Sequence, residues 1–90
     1  MDIMKFKDID IVRLLEAVTG WDGELHSKDR EFPAGEEGTV VHVHTSKQLP
    51  NGTIVPTEAY MIEFLEEDGH TAGFADALPE QLELVKEFKG

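Results

Sequence analysis

The sequence predicts a mostly β domain of antiparallel strands, about five of them, and three local patterns carry that expectation. From Thr39 to Thr45 the chain alternates, with Thr39, Val41, Val43 and Thr45 on one side and Val40, His42 and His44 on the other. β-Branched residues at a period of two favour a strand. From Tyr60 to Leu65 the same period recurs: Tyr60, Ile62 and Phe64 share one face, and Met61, Glu63 and Leu65 the opposite one. Asp68-Gly69 then supplies a hairpin turn, because that pair accepts the positive φ of a type I′ turn.

Taken in chain order, the first segment, "DIVRLLEAV" from Asp10 to Val18, reads two ways. Ile11, Leu14, Leu15 and Val18 have helical spacing, with Asp10 as a cap and Gly20 as a stop, whereas Val12 and Leu14 against Ile11 and Arg13 fit a short strand. Periodicity alone leans to the helix. "TGWDGELHSKDREFPAGEEG", from Thr19 to Gly38, follows as a long polar loop that closes in a reversal marked by Pro33, Gly35 and Gly38. Between the two clear strands, "SKQLPNGTIVPT" reads as a protruding, partly paired hairpin turned at Pro50-Asn51-Gly52, with Pro56 limiting its pairing. "HTAGFA" after the Asp-Gly turn is a further strand. The chain closes with a 3₁₀ turn over Pro79 to Gln81 and a strand through Leu82 and Leu84, a short helix being the competing reading.

Ninety residues, 40% apolar and 30% charged, suit a single domain over residues 1–90 with one small core. No cysteine is present, which excludes disulfides, thiolate metal sites and cysteine nucleophiles. "MDIMKFKDIDIV" interleaves charged and apolar residues and lacks the continuous apolar run of a signal peptide, so the cytoplasm is the expected location. Asn51-Gly52-Thr53 matches a glycosylation acceptor but is read as a turn.

The formal net charge is −11, from 19 acidic and 8 basic residues. That sign opposes binding to phosphate backbones, so no nucleic acid is expected as a partner, and a composition not apolar enough to cross a bilayer leaves no membrane expected either. Between Gln48 and Val85 there is no lysine or arginine, while Glu58, Glu63, Glu66, Glu67, Asp68, Asp76, Glu80 and Glu83 supply carboxylates. Such a run is either a solubilising surface or a face for a basic partner.

Several of these residues together resemble a family of small bacterial domains of unknown function, the one numbered 4926. Its pattern of an apolar segment, a Gly-x-x-Gly-Thr-Val-Val strand, a Tyr-x-Val-Glu-Phe strand, an Asp-Gly turn and a leucine-rich closing strand is matched by Gly35, Gly38, Thr39, Val40 and Val41, by Tyr60, Ile62, Glu63 and Phe64, by Asp68 and Gly69, and by Leu82 and Leu84. The resemblance runs from Asp10 to Val85 and implies a small SH3-like antiparallel barrel, which makes the first segment a strand instead of a helix. The Trp21 loop and the Pro50-Asn51-Gly52 hairpin are longer than the family's usual connections, and loops on a rigid scaffold are where binding residues concentrate.

Candidate chemistry is sparse. His42 and His44 lie two apart in a strand and project to one side, a chelating spacing with His70 or Glu36 as third ligands, but they stand opposite Val41 and Val43 and read as the wet outside of a strand. No metal and no cofactor are expected. Ser27 and Ser46 are placed in loops, and His26, Ser27 and Asp29 are too close in sequence for a spatially assembled relay. Glu36 with Glu37, and Glu66 with Glu67, are adjacent pairs that point to opposite faces or into solvent. No enzyme is expected. The candidate partner-binding residues are Trp21, with Phe32 beside it, and the acidic turn residues Glu66, Glu67 and Asp68. Trp21 either folds back as a lid over one end of the core or stands exposed as an anchor for a partner protein. The sequence thus points to a protein-interaction or accessory module, or else to an acidic inhibitor, such as an antitoxin or immunity protein, of a basic nucleic-acid enzyme.

Overall fold

A computed structural model describes residues 6–7, 9–23 and 29–87. Its strands are β1 (Ile11–Leu14), β2 (Val18–Asp22), β3 (Asp29–Phe32), β4 (Glu37–Gln48), β5 (Ile54–Leu65), β6 (Thr71–Ala77) and β7 (Leu82–Lys86), with a 3₁₀ turn at Pro79–Gln81. All pair antiparallel in one curled sheet, a half-barrel of order β3-β2-β6-β5-β4-β1-β7.

There are seven strands, not about five. The additional pair is β2 and β3, whose sequence has the look of a polar loop. Neither shows an apolar alternation. In β2 the inward positions include Gly20, and in β3 only Phe32 is buried behind the charged Asp29, Arg30 and Glu31. Charged residues on a short edge strand discourage further pairing, which is why β3 looks like loop sequence. The first segment is a strand, as the resemblance implies, and not the helix that periodicity favours. β1 is paired on both sides, to β4 through Val12↔Gly38 and to β7 through Val12↔Leu84, and Leu15 turns out to solvent at its end.

One face of the sheet holds the core. Tyr60, Ile62 and Phe64 of β5 are fully buried, as their shared face requires, against Val12, Leu14, Val18, Val40, Leu82 and the alanines of β6. Tyr60 carries a polar group into this core and satisfies it twice: its hydroxyl donates to Glu58 and accepts the Phe6 amide at 3.0 Å. The Phe6 ring packs edge-on to the tyrosine at 5.2 Å.

Bulges set the curl. On β4 the register passes from Val40↔Ile62 to His42↔Met61, so Val41 is an extra residue. The consequence overturns the simple alternation: Val40 and Val43 are the core-side residues, opposite Ile62 and Tyr60, and Val41 is 39% exposed. On β6 the extra residue is Ala72, which explains two consecutive buried positions, Ala72 and Gly73. Each bulge adds local twist and bends the strand that carries it.

Two glycines let β2 approach β6. A Cβ on Gly20 would lie 2.0 Å from the Phe74 carbonyl oxygen, and one on Gly73 would lie 2.4 Å from the Trp21 carbonyl oxygen. The Asp68-Gly69 hairpin forms, but as a three-residue loop instead of a type I′ turn. Gly69 alone takes a positive φ, +92°, with its amide on the Glu66 carbonyl at 2.9 Å and the Glu66 amide on the His70 carbonyl at 2.7 Å. Pro50-Asn51-Gly52 repeats that design: Gly52 has φ +88° and its amide reaches the Leu49 carbonyl at 2.9 Å. The β4–β5 hairpin is thus a long ribbon, with a register shift between His44 and Ser46 where Pro56 enters. Ser46 is a strand residue, not a loop residue.

Candidate functional site

The side of the sheet turned away from the core carries a row of residues in direct register across all seven strands. Asp29 pairs with Trp21, Trp21 with Phe74, Phe74 with Glu63, Glu63 with Thr39, Thr39 with Ile11 and Ile11 with Lys86. Toward its β3 end the indole of Trp21 and the ring of Phe74 stack, with centroids 6.3 Å apart and planes 24° from parallel. Both are half-buried. Trp21 therefore neither folds back over the core nor stands on a loop: a strand paired on both sides fixes it on the outer face.

Phe32 does not accompany it. That ring is 2% exposed and stacks on Phe64 inside the core, so it offers nothing to a partner. The reason is the strand period: Trp21 and its partner Asp29 face outward, and Phe32, three residues on from Asp29, faces inward.

Glu66, Glu67 and Asp68 occupy the β5–β6 turn and are exposed. The Arg30 guanidinium donates to Glu66 at 3.1 Å and to the Ala72 carbonyl at 2.9 Å, with its centre 5.4 Å from the Phe32 ring. Arg30 thus ties the edge strand to this turn on the core side of the sheet. Asp68 accepts the His70 amide at 3.0 Å and faces the His70 ring nitrogen at 2.9 Å. The amide bond chiefly, and then the ring, hold its carboxyl below the usual aspartate range.

Elsewhere on the outer face Arg13 bridges two strands, donating to Glu37 at 2.8 Å and to Glu83 at 2.6 Å. These two hydrogen bonds, Glu37 first, raise its pKa further. Asp29, Glu31 and Glu63 are different: among the described residues no lysine or arginine pairs with them. Glu63 accepts the Thr71 hydroxyl, at 2.7 Å.

His42 and His44 do share the outer face, with ring centroids 4.7 Å apart, and His44 Nε2 lies 3.1 Å from Asp76 Oδ1. Among the described residues no three ligating side chains converge on a point fit for a metal. The candidate third ligands lie elsewhere: Glu36 precedes β4, and His70 is occupied with Asp68. His26 and Ser27 fall outside the described residues.

Sequence reasoning misses Phe74, Asp29 and Glu63 as companions of Trp21. Their grouping depends on the β2–β6 and β5–β6 registers, and "HTAGFA" carries no local sign of which strand will lie beside it.

No family model matches the chain, and neither the curated proteins nor the solved structures include a significant match to it. No helix among the described residues is long and apolar enough to cross a membrane.

Proposed function

We propose that this chain is a non-enzymatic protein-interaction module of the cytoplasm that engages a partner protein through the outer face centred on Trp21. One observation carries the reading: the tryptophan is not among the buried core residues, yet Trp21 stacks on a second aromatic ring, Phe74, on the side of the sheet turned away from that core. A half-buried tryptophan on a fixed strand offers large apolar area at little entropic cost, the property that enriches it among interface hot spots. Kinship with the domain family numbered 4926, and an SH3-like closure of the curled sheet, belong to the same proposal and are supported by the residues quoted for the resemblance.

A second reading, an acidic inhibitor of a basic nucleic-acid enzyme, is favoured by the charge distribution. Eight carboxylates and no lysine or arginine lie between Gln48 and Val85, and the Glu63 carboxylate on the outer face has no lysine or arginine against it among the described residues. Such a face accelerates association with a basic protein and loses that advantage in salt.

Affinity capture from native lysate at low and high salt, with the wild type and with Trp21→Thr, separates the two. A partner that survives high salt and is lost with Trp21→Thr supports the aromatic surface. A basic nucleic-acid enzyme lost at high salt and retained by Trp21→Thr supports the inhibitor and removes Trp21 from the site.

A further inference from the structure

We propose that the Trp21 row receives an extended segment of a partner protein carrying two arginines four residues apart, with an apolar side chain between them. This rests on the reading of the Trp21 face as the interaction surface and assigns its occupant. The register supplies the spacing. Asp29, Trp21, Phe74 and Glu63 are successive neighbours on four adjacent strands. Three steps of about 4.8 Å place the two carboxylates about 14 Å apart, with the aromatic pair between them. In an extended chain, residues i and i+4 point to one side at about 13 Å, and residue i+2 falls midway. A strand lying across the row therefore sets an arginine beside Asp29, a second beside Glu63, and an apolar side chain on Trp21 and Phe74.

Charge decides for a basic occupant. Arg30, between Asp29 and Glu31, is turned to the core side and committed to Glu66 and Ala72, so among the described residues no lysine or arginine is set against the outward carboxylates of β3. Glu63 is matched by a hydroxyl and by no lysine or arginine among the described residues. Arginine suits this setting better than lysine, because a planar guanidinium stacks on an aromatic face while its edge donates to a carboxylate.

Trp21 is the chain's single tryptophan, so its emission reports on the site directly. The probe is the synthetic peptide Thr-Arg-Thr-Val-Thr-Arg-Thr, titrated into the full chain at moderate salt. Controls replace both arginines by citrulline, or move the second to i+3, where it points to the other side. A saturable change in Trp21 emission is expected, weakened about tenfold by either control and about tenfold by Asp29→Asn combined with Glu63→Gln. That double variant leaves the core untouched, and circular dichroism verifies its fold. Equal binding by the citrulline peptide would make the face a purely apolar dock and overturn the assignment. Equal binding by the double variant would reduce the attraction to the overall charge of −11 and overturn it as well. If the peptide leaves emission unchanged at millimolar concentration while Trp21→Thr still abolishes lysate capture, the surface reading stands and the arginine assignment alone fails.

Discussion

Phe32 of the edge strand β3 stacks on Phe64 of β5 with ring centroids 4.2 Å apart and planes 19° from parallel. The two residues belong to strands separated by β2 and β6 in the sheet, so their contact spans the curl and holds the edge pair against the core. Phe32→Ala should cost about 3–5 kcal/mol, the range for a buried phenylalanine whose cavity is only partly refilled. Urea unfolding measures it. Phe32→Leu should recover more than half of that loss, and at temperatures where the leucine variant is folded its partner capture should equal the wild type's.

The approach of β2 to β6 depends on the absence of two side chains. A Cβ at Gly20 would meet backbone oxygen at 2.0 Å and the Ala75 Cβ at 2.6 Å, and neither neighbour is a flexible chain end. Gly20→Ala should therefore force the strands apart and cost about 1–3 kcal/mol by overpacking. Because Trp21 follows Gly20 and stacks on Phe74 across the same seam, its emission should move to the red in the folded variant. Unchanged emission with unchanged stability would mean that β2 does not lie against β6 in solution.

How much of this is legible in the sequence follows from where each signal is stored. The face of Tyr60, Ile62 and Phe64 is readable because every inward position is large and apolar, and the structure buries all three. The 3₁₀ turn is readable because Pro79 fixes φ at its start, and Gln81 then closes it by accepting the Leu78 amide at 2.8 Å. Val41 misleads because a bulge is invisible in local alternation: the residue looks inward in the pattern and is the extra one in the ladder. β2 and β3 escape notice because their stabilisation is non-local, through glycine close approach and a single phenylalanine, with no period to detect. The candidate site is half legible for the same reason. Trp21 announces itself by type, and Phe32 is misplaced because only the strand register separates the two faces.

Asp68 gives the acid limb of the stability profile a local origin. Its carboxyl is held below the ordinary aspartate value by the His70 amide and then by the His70 ring. A carboxyl whose folded pKa is depressed contributes stability above its unfolded pKa and loses that contribution as pH falls from the unfolded toward the folded value. Asp68→Ala should thus flatten stability against pH below about pH 4, the unfolded aspartate range, and leave the slope above about pH 5 unchanged. Thermal unfolding at a series of pH values reads this, and an NMR titration of Asp68 should give a midpoint below that of an unstructured aspartate.

The two three-residue hairpins make a matched pair that separates global from local stability. Gly52 and Gly69 have φ of +88° and +92°, and at neither would a Cβ meet anything within 4 Å. Alanine at either position therefore meets a backbone cost alone. The left-handed region costs an L-residue about 1–2 kcal/mol, offset in part by the more restricted unfolded chain, so each substitution should cost about 1 kcal/mol. Where that cost appears differs. Gly69 closes β5 onto β6 in the body of the sheet, where Phe64 pairs with Gly73 and Glu63 with Phe74. Gly52 closes a ribbon whose ladder, Ser46↔Pro56 to Gln48↔Ile54, is flanked by no third strand among the described residues. Gly69→Ala should lower global stability by the full amount. Gly52→Ala should leave the urea midpoint nearly unchanged and instead accelerate hydrogen exchange of the Leu49 amide, which donates to the Thr53 carbonyl at 2.7 Å, by about fivefold. Equal shifts in the urea midpoint for both variants would show the ribbon unfolding together with the sheet, as one cooperative unit.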